Sequence, residues 1–248
     1  MLDKQSLLLR KASITTVLGV VATVVWMMVA NVGLRGGENA AVDSAAGMIS
    51  QAVAVALFTM PLVVFAIVHL YVSEEQENGI WGVIRARNGK IGHLLAFRLS
   101  SALLFLVVWA LGYVGTLGAL VAFHYSAADA FDVIPMFFGL LISVISTVFT
   151  VASVHLRLGG LVPAATAALA LSVVGVSLIG KTTLALAALP MGGLVSGNPF
   201  KDVDVTQPLL GYEPNPDSTF GLGLSLVAAI LVALSLFGYL KNQLGKEK

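Results

Sequence analysis

Apolar residues along this chain come in six long runs separated by polar stretches. They cover roughly 12–34, 48–72, 94–123, 133–154, 160–180 and 219–240. Each run lies within or close to the ~17–25 residues that a membrane-crossing helix needs, and the third is long enough to tilt or to project. A hydrocarbon solvent cannot satisfy an open backbone, so all six are expected to be helices. The predicted fold class is an all-α membrane protein with six transmembrane helices in a single transmembrane domain, 1–248. The first run exceeds the ~7–15 apolar residues of a cleavable signal. The eleven residues before it, MLDKQSLLLRK, allow two readings. Leu2, Leu7, Leu8 and Leu9 rest on the membrane surface while Lys4, Arg10 and Lys11 face water, or the stretch is a solvated start to the first span.

Composition agrees with lipid as the solvent. Of 248 residues 58% are hydrophobic and 11% charged, and mean hydropathy is +0.94; globular domains carry about 25% charged residues. A net charge of +1 gives no footprint for nucleic acid. With no cysteine there is no disulfide framework, thiol chemistry or Cys-based metal site.

Basic residues set the expected orientation. With the N-terminus inside, the inner segments hold Lys4, Arg10, Lys11, Arg85, Arg87, Lys90, Arg98, Arg157, Lys241, Lys246 and Lys248, and the outer ones only Arg35, Lys181 and Lys201. The expectation is N-in and C-in, in a cell membrane, with a bacterial source. The segment 73–93 and the 155–159 turn then face the cytoplasm. Outside lie a small-residue loop at Gly36 to Gly47, a tight polar turn at His124 to Asp132, and a long loop at 181–218. That last loop holds Pro190, Pro199, Pro208, Pro214 and Pro216, five of the eight prolines. Its first part, TTLALAALPMGGL, reads as an extension of the fifth helix or a helix at the outer interface; the remainder reads as acidic and irregular. A functional cap and a passive connector both fit it.

Within the runs, His69 lies near the inner end of the second and Lys181 at the outer end of the fifth. Neither is at mid-depth, where a proton or ion relay would lie, and no mid-span carboxylate supports ion-coupled secondary transport. Pro61 is expected to kink the second helix, whereas Pro135 and Pro163 fall in tolerant first turns. Gly112, Gly115 and Gly118 give the third run a small packing face.

Familiar catalytic patterns are missing. There is no phosphate loop: Gly180-Lys181-Thr182-Thr183 lacks the upstream glycine. There is no HExxH and no G-x-S-x-G, and His69, His93, His124 and His155 are scattered over separate elements. Glu74-Glu75 is similar to the EExxxR pattern of glutamic intramembrane proteases, but Gly79 stands where the arginine should be. An exposed, charged loop also offers no desolvated pocket to tune a catalytic carboxylate.

The densest charge cluster is Ser73 to Lys90, SEEQENGIWGVIRARNGK. Ser73 with Gln76 three residues on is a capping-box start. Glu74, Glu75 and Glu77 would then occupy the first turns, and Arg85 and Arg87 the last, as the helix dipole favours. Asn88-Gly89 signals a turn into the third span. Ile80, Val83 and Ile84 share one face, with Trp81 beside them. Such a stripe fits the bilayer interface or a groove in a cytoplasmic partner.

Six spans with both termini inside, and the 2–3 connection Glu77-Asn78-Gly79-Ile80-Trp81 followed by Arg85, Arg87, Lys90 and Arg98, resemble the permease subunits of ABC-2 type transporters. The size is most similar to the lantibiotic and bacteriocin-immunity permeases. The resemblance implies a cytoplasmic coupling helix between helices 2 and 3, seated in a cleft of a separate ATP-binding cassette ATPase. Ile80, Trp81 and Ile84 would be its apolar knob, and Glu74, Glu75, Glu77, Arg85 and Arg87 its orienting charges. It also implies a second permease copy or a homologous permease, no cofactor in this chain, and ATP and Mg on the partner ATPase. The cargo would be an apolar or amphipathic peptide, lipid or drug, moved in the export direction, and the chain itself would not be an enzyme. The alternative is a non-transporting membrane receptor or immunity protein that binds a peptide at its outer loop.

Overall fold

The computed structural model describes residues 2–35, 44–77, 83, 91–158, 160–178, 189–202 and 211–246. In chain order these form α1 (Leu2–Arg35), α2 (Ala45–Glu77), α3 (Ile91–His124), a 3₁₀ turn (Asp129–Asp132), α4 (Val133–Leu158), α5 (Leu161–Ser177), α6 (Gly192–Ser196), β1 (Phe200–Asp202), β2 (Tyr212–Pro214) and α7 (Ser218–Lys246). Among the described residues, five helices are long and apolar enough to cross a membrane: α1, α2, α3, α4 and α7. They mark a multi-pass membrane protein. The apolar run at 160–180 gives the 17-residue α5, about 25 Å long at 1.5 Å per residue against a hydrocarbon core of about 30 Å.

Helix direction follows from paired contacts. Trp26 of α1 meets Phe58 of α2 with ring centres 5.4 Å apart, and a Cβ on Gly19 would lie 3.3 Å from Val63, so α1 and α2 are antiparallel. The end that holds the start of α1 and the finish of α2 is called proximal here, and the opposite end distal. Helix α2 is the hub, packed on α1, α3, α4 and α5. Exposed apolar side chains such as Leu18, Val25, Leu104, Val173 and Leu234 cover the periphery, as expected where the solvent is lipid rather than water.

Hydroxyls within the spans are largely satisfied inside their own helix. Thr16 donates to the Ala12 carbonyl (2.8 Å), Thr23 to Gly19 (2.7 Å) and Thr116 to Gly112 (2.7 Å), the i−4 arrangement that lets a polar residue sit in an apolar helix. Two side chains instead bind α2 from neighbouring helices. Tyr113 of α3, fully buried and stacked at 6.0 Å on Trp109, donates to the Ala52 carbonyl at 2.7 Å. Ser172 of α5 donates to the Phe58 carbonyl at 2.7 Å. Pro61 explains why α5 closes here. Having no N–H, it leaves the Leu57 carbonyl without its helical donor, and Gly175 of α5 packs on that oxygen, where a Cβ would come within 3.1 Å. Despite Pro61, α2 is one continuous helix.

Several local expectations are corrected. The N-terminal stretch is no separate surface element; it continues into the first span as α1, because no glycine or proline interrupts it before Gly19. Ser73 is not a helix start: α2 runs through it to Glu77. Nothing in Ser-Glu-Glu-Gln breaks a helix, so the capping-box pattern lies within one. Glu74, Glu75 and Glu77 therefore occupy the last turns of α2, where the dipole disfavours negative charge, rather than the first turns of a new helix. The true N-cap of α2 is Ser44, whose Oγ accepts the Gly47 N–H at 3.1 Å. Gly112, Gly115 and Gly118 do not form one packing face. Gly112 faces Val20 of α1, Gly118 faces Val133, and Gly115 faces open space, because each three-residue step shifts the position by about 60° around a 3.6-residue helix. The 124–132 turn is as compact as expected, with Ser126 donating to the Asp129 carboxylate at 2.8 Å and accepting the Asp129 N–H at 3.2 Å.

Tyr113→Phe removes one bond to the hub while keeping the ring stack. The expected loss is about 1 kcal/mol, read from the unfolding midpoint of the detergent-solubilised protein.

Candidate functional site

Leu189, two residues before Met191, is exposed. Met191 is fully buried where three helices meet. Thr147 Oγ1, midway along α4, donates to its sulfur at 3.9 Å. A Cβ on Gly175 of α5 would lie 3.1 Å from the Met191 methyl and 3.1 Å from the Leu57 carbonyl of α2. From this depth α6 climbs back towards the distal end, packed on α4 and α7. Met191 and α6 thus lie among α2, α4, α5 and α7, with α6 rising to the distal end.

Backbone contacts hold it there. A Cβ on Gly139 of α4 would overlap the Gly193 carbonyl oxygen and lie 2.9 Å from the Gly197 Cα; one on Gly193 would lie 2.8 Å from the Gly139 carbonyl; one on Gly197 would lie 2.7 Å from the Pro135 carbonyl. Only glycines allow this backbone-to-backbone approach. Hydrogen bonds follow from it. Leu194 donates to Ser143 Oγ at 2.8 Å, satisfying a first-turn N–H that a five-residue helix cannot satisfy itself. Gly192 donates to Leu189 O (2.8 Å), Val195 to Met191 O (3.2 Å), Gly197 to Gly193 O (2.8 Å) and Asn198 to Val195 O (3.3 Å).

Distally, Asn198 is the junction. Its amide donates to Ser50 Oγ of α2 at 3.4 Å, its side-chain oxygen accepts the Phe200 N–H at 3.2 Å, and its carbonyl accepts Asn215 Nδ2 at 3.2 Å. Strands β1 and β2 pair antiparallel with Lys201 opposite Glu213, an ion pair at 3.0 Å. Asn215 donates to the Pro199 carbonyl at 2.7 Å, and α7 follows. Ser196 meets Gly221 of α7, and Ser225 lies 3.5 Å from Ser196 Oγ. The described residues 189–202 and 211–217 are thus held by specific contacts; residues 182–188, expected as an extension of the fifth helix or an interface helix, and 203–210 lie outside the described residues.

Chemically, residues 189–198, LPMGGLVSGN, contain no ionisable group. The surrounding Ser143, Thr147, Ser172 and Ser225 are buried neutral hydroxyls. These groups offer neither a general base nor a charged nucleophile, and the hydroxyls of Ser143, Thr147 and Ser172 are engaged in hydrogen bonds within the bundle. Among the described residues no group of three or more His, Cys, Asp or Glu could hold a metal ion.

At the proximal end, Glu74, Glu75 and Glu77 close α2; Ile80, Trp81, Ile84, Arg85 and Arg87 lie outside the described residues, and Val83 between them is exposed. The end of α2 and the start of α3 at Ile91 bracket this stretch. Close by, the structure joins two of the four histidines across α2 and α4. His69 and His155 stand edge to face with ring centres 5.3 Å apart, and His69 stacks on Phe65 at 5.8 Å. Arg157 sits 5.9 Å over the Tyr239 ring of α7, and Lys241 packs along Gly92 of α3, 3.3 Å from where a Cβ would be.

Sequence reasoning missed Gly139, Ser143, Gly193 and Gly197. Their signal was there: Gly-x-x-x-Gly after Pro190-Met191-Gly192 and Gly-x-x-x-Ser in α4 are small residues at helix-contact spacing.

Searches against protein-family models, curated proteins and solved structures return no match for this chain.

Gly139→Leu is expected to cost more than about 2 kcal/mol through overpacking, with Gly115→Leu, which enters open space, changing stability by less than about 0.5 kcal/mol. Ser143→Ala strands the Leu194 N–H and should cost about 1–3 kcal/mol. Denaturant unfolding in micelles measures all three.

Proposed function

We propose that this chain is the permease subunit of an ATP-driven transporter of the ABC-2 type, moving an apolar or amphipathic substrate with ATP hydrolysed on a separate subunit. The observation that carries the reading is the burial of Met191 at mid-depth, where the short helix α6 begins. Plain spanning helices satisfy their own backbones and need nothing of this kind. Broken, Gly/Pro-interrupted elements at mid-depth, held by dedicated contacts, are how transport proteins build substrate pathways. In this reading α5 and α6 together make the sixth membrane element, and eleven basic residues in the segments expected inside against three in those expected outside support cytoplasmic termini.

The hub position of α2 gives the mechanism its lever. The docking segment, with Glu74, Glu75, Glu77, Ile80, Trp81, Ile84, Arg85 and Arg87, follows directly from α2 and leads into α3. A push on this segment by an ATPase closing around ATP travels along two unbroken helices. Because α2 touches α1, α3, α4 and α5, one displaced rod moves four neighbours, among them α4, on which the buried segment rests. Two permeases, identical or homologous, would complete the pathway.

The alternative of a peptide-binding receptor or immunity protein draws on the β1–β2 pair, a distal platform with its own fixed geometry. One experiment separates the two. Affinity isolation from native membranes is expected to recover an ATPase with a phosphate-loop motif. Trp81→Ala with Ile84→Glu should reduce that recovery at least about tenfold, as loss of two anchor residues does at an interface. Undiminished recovery sinks the coupling segment. Activity that needs only residues 199–216 and no ATPase favours the receptor.

A further inference from the structure

We propose that His69 and His155 form a proton-sensitive clasp between the proximal ends of α2 and α4, closed when both imidazoles are neutral and opened when they are charged. The inference concerns a helix contact and holds whether or not the chain transports anything.

His155 is only 2% exposed and meets His69 edge to face, ring centres 5.3 Å apart. His69 in turn lies flat against Phe65, at 18° and 5.8 Å. Such an arrangement favours neutral rings, whose edges and faces attract. The Nδ1 atoms of both are buried without a hydrogen-bond partner. A histidine kept permanently charged or fixed in one tautomer usually has a carboxylate or carbonyl at that nitrogen; neither Nδ1 has one, the backbone bond of His155 being with Gly160.

His155 has a backbone hydrogen bond with Gly160, and charged and titratable groups lie on the elements around the pair. On α2 itself there is Tyr71, followed by Glu74, Glu75 and Glu77 in its last turns; α3 carries His93 and Arg98; α4 carries Arg157; α7 carries Tyr239 and Lys241; α5 carries none, and α1 brings Arg10 and Lys11. Asp3 of α1 adds a carboxylate at this end of the sequence, its side chain and those of Glu74, Glu75 and Glu77 lying outside the described ones; Asp129, Asp132, Glu213 and Asp217 are distal. A proton on one ring places a cation in a buried seam against the other ring. A proton on both sets two like charges across the contact that joins the helices. Separation lets water reach both rings and relieves both terms. Imidazole is the one side chain whose ordinary charge change, near pH ~6.5, falls in the physiological range.

The chain has no cysteine, so a Ser73→Cys/Leu158→Cys pair can be spin-labelled without background and placed in lipid nanodiscs. Between pH 8 and pH 5 the distance between labels is expected to grow by about 2 Å or more, the scale of helix shifts at packed interfaces. His69→Phe with His155→Phe keeps ring contact and removes the protons; its distance should not change with pH. His155→Gln, a neutral polar residue, should at least halve the shift and gives a second reading if the double variant folds poorly. An unchanged distance in the parent, an equal shift in the histidine-free chains, or a separation reproduced at pH 8 by a chelator alone, which would make the pair a metal site, each overturns the proposal.

Discussion

Every N–H that leaves a helix inside this bundle has to find an acceptor within the protein, because hydrocarbon supplies none. That constraint explains the chain's most unusual arrangement. A five-residue helix cannot satisfy its own first turn, and it survives at depth because Ser143 accepts from Leu194 and because Gly139, Gly193 and Gly197 let two backbones touch. The same rule governs the hub. Pro61 frees a carbonyl in the middle of α2, and α5 closes on that spot with Gly175 and Ser172. Both irregularities converge on one locality, around Leu57, Gly175 and Met191. The polar backbone there is therefore shared between helices rather than hidden inside one.

This sharing links parts of the chain that would otherwise be independent. Helix α4 receives the buried segment along its distal half and meets α2 through His155 at its proximal end. Helix α2 takes contacts from α1, α3, α4 and α5 along its length. A displacement that begins where α2 ends thus has two routes to the Met191 locality, one through α2 itself and one through α4. Motion at one end of the bundle and rearrangement at its centre are coupled by continuous helices.

The sequence made the spans legible because a lipid solvent leaves the chain little choice: an apolar run of twenty residues has to close its hydrogen bonds on itself. Helix boundaries were less legible where a local signal competed with simple continuation. Ser73 and Gln76 have capping-box spacing, but the same spacing occurs inside a helix, and nothing stops α2 before the Asn78-Gly79 pair. The role of 189–198 was invisible for another reason. Its structure depends on Gly139 and Ser143, far away in sequence, so Pro190-Met191-Gly192-Gly193 viewed alone says only that a regular helix is interrupted. His69 and His155 were noted singly; their meeting depends on α2 and α4 running in the same direction, which periodicity cannot reveal.

The shortness of α5 has a consequence outside the protein. Its outward face, with Leu161, Val162, Leu169 and Val173, is exposed and apolar, yet the helix has only 17 residues, whereas α3 on another flank of α2 has 34. The described helices thus present lipid with apolar faces of unequal length. Where the 17 residues of α5 alone face the bilayer, acyl chains beside them would compress or tilt relative to those beside α3, and each ångström of mismatch costs a fraction of a kcal/mol.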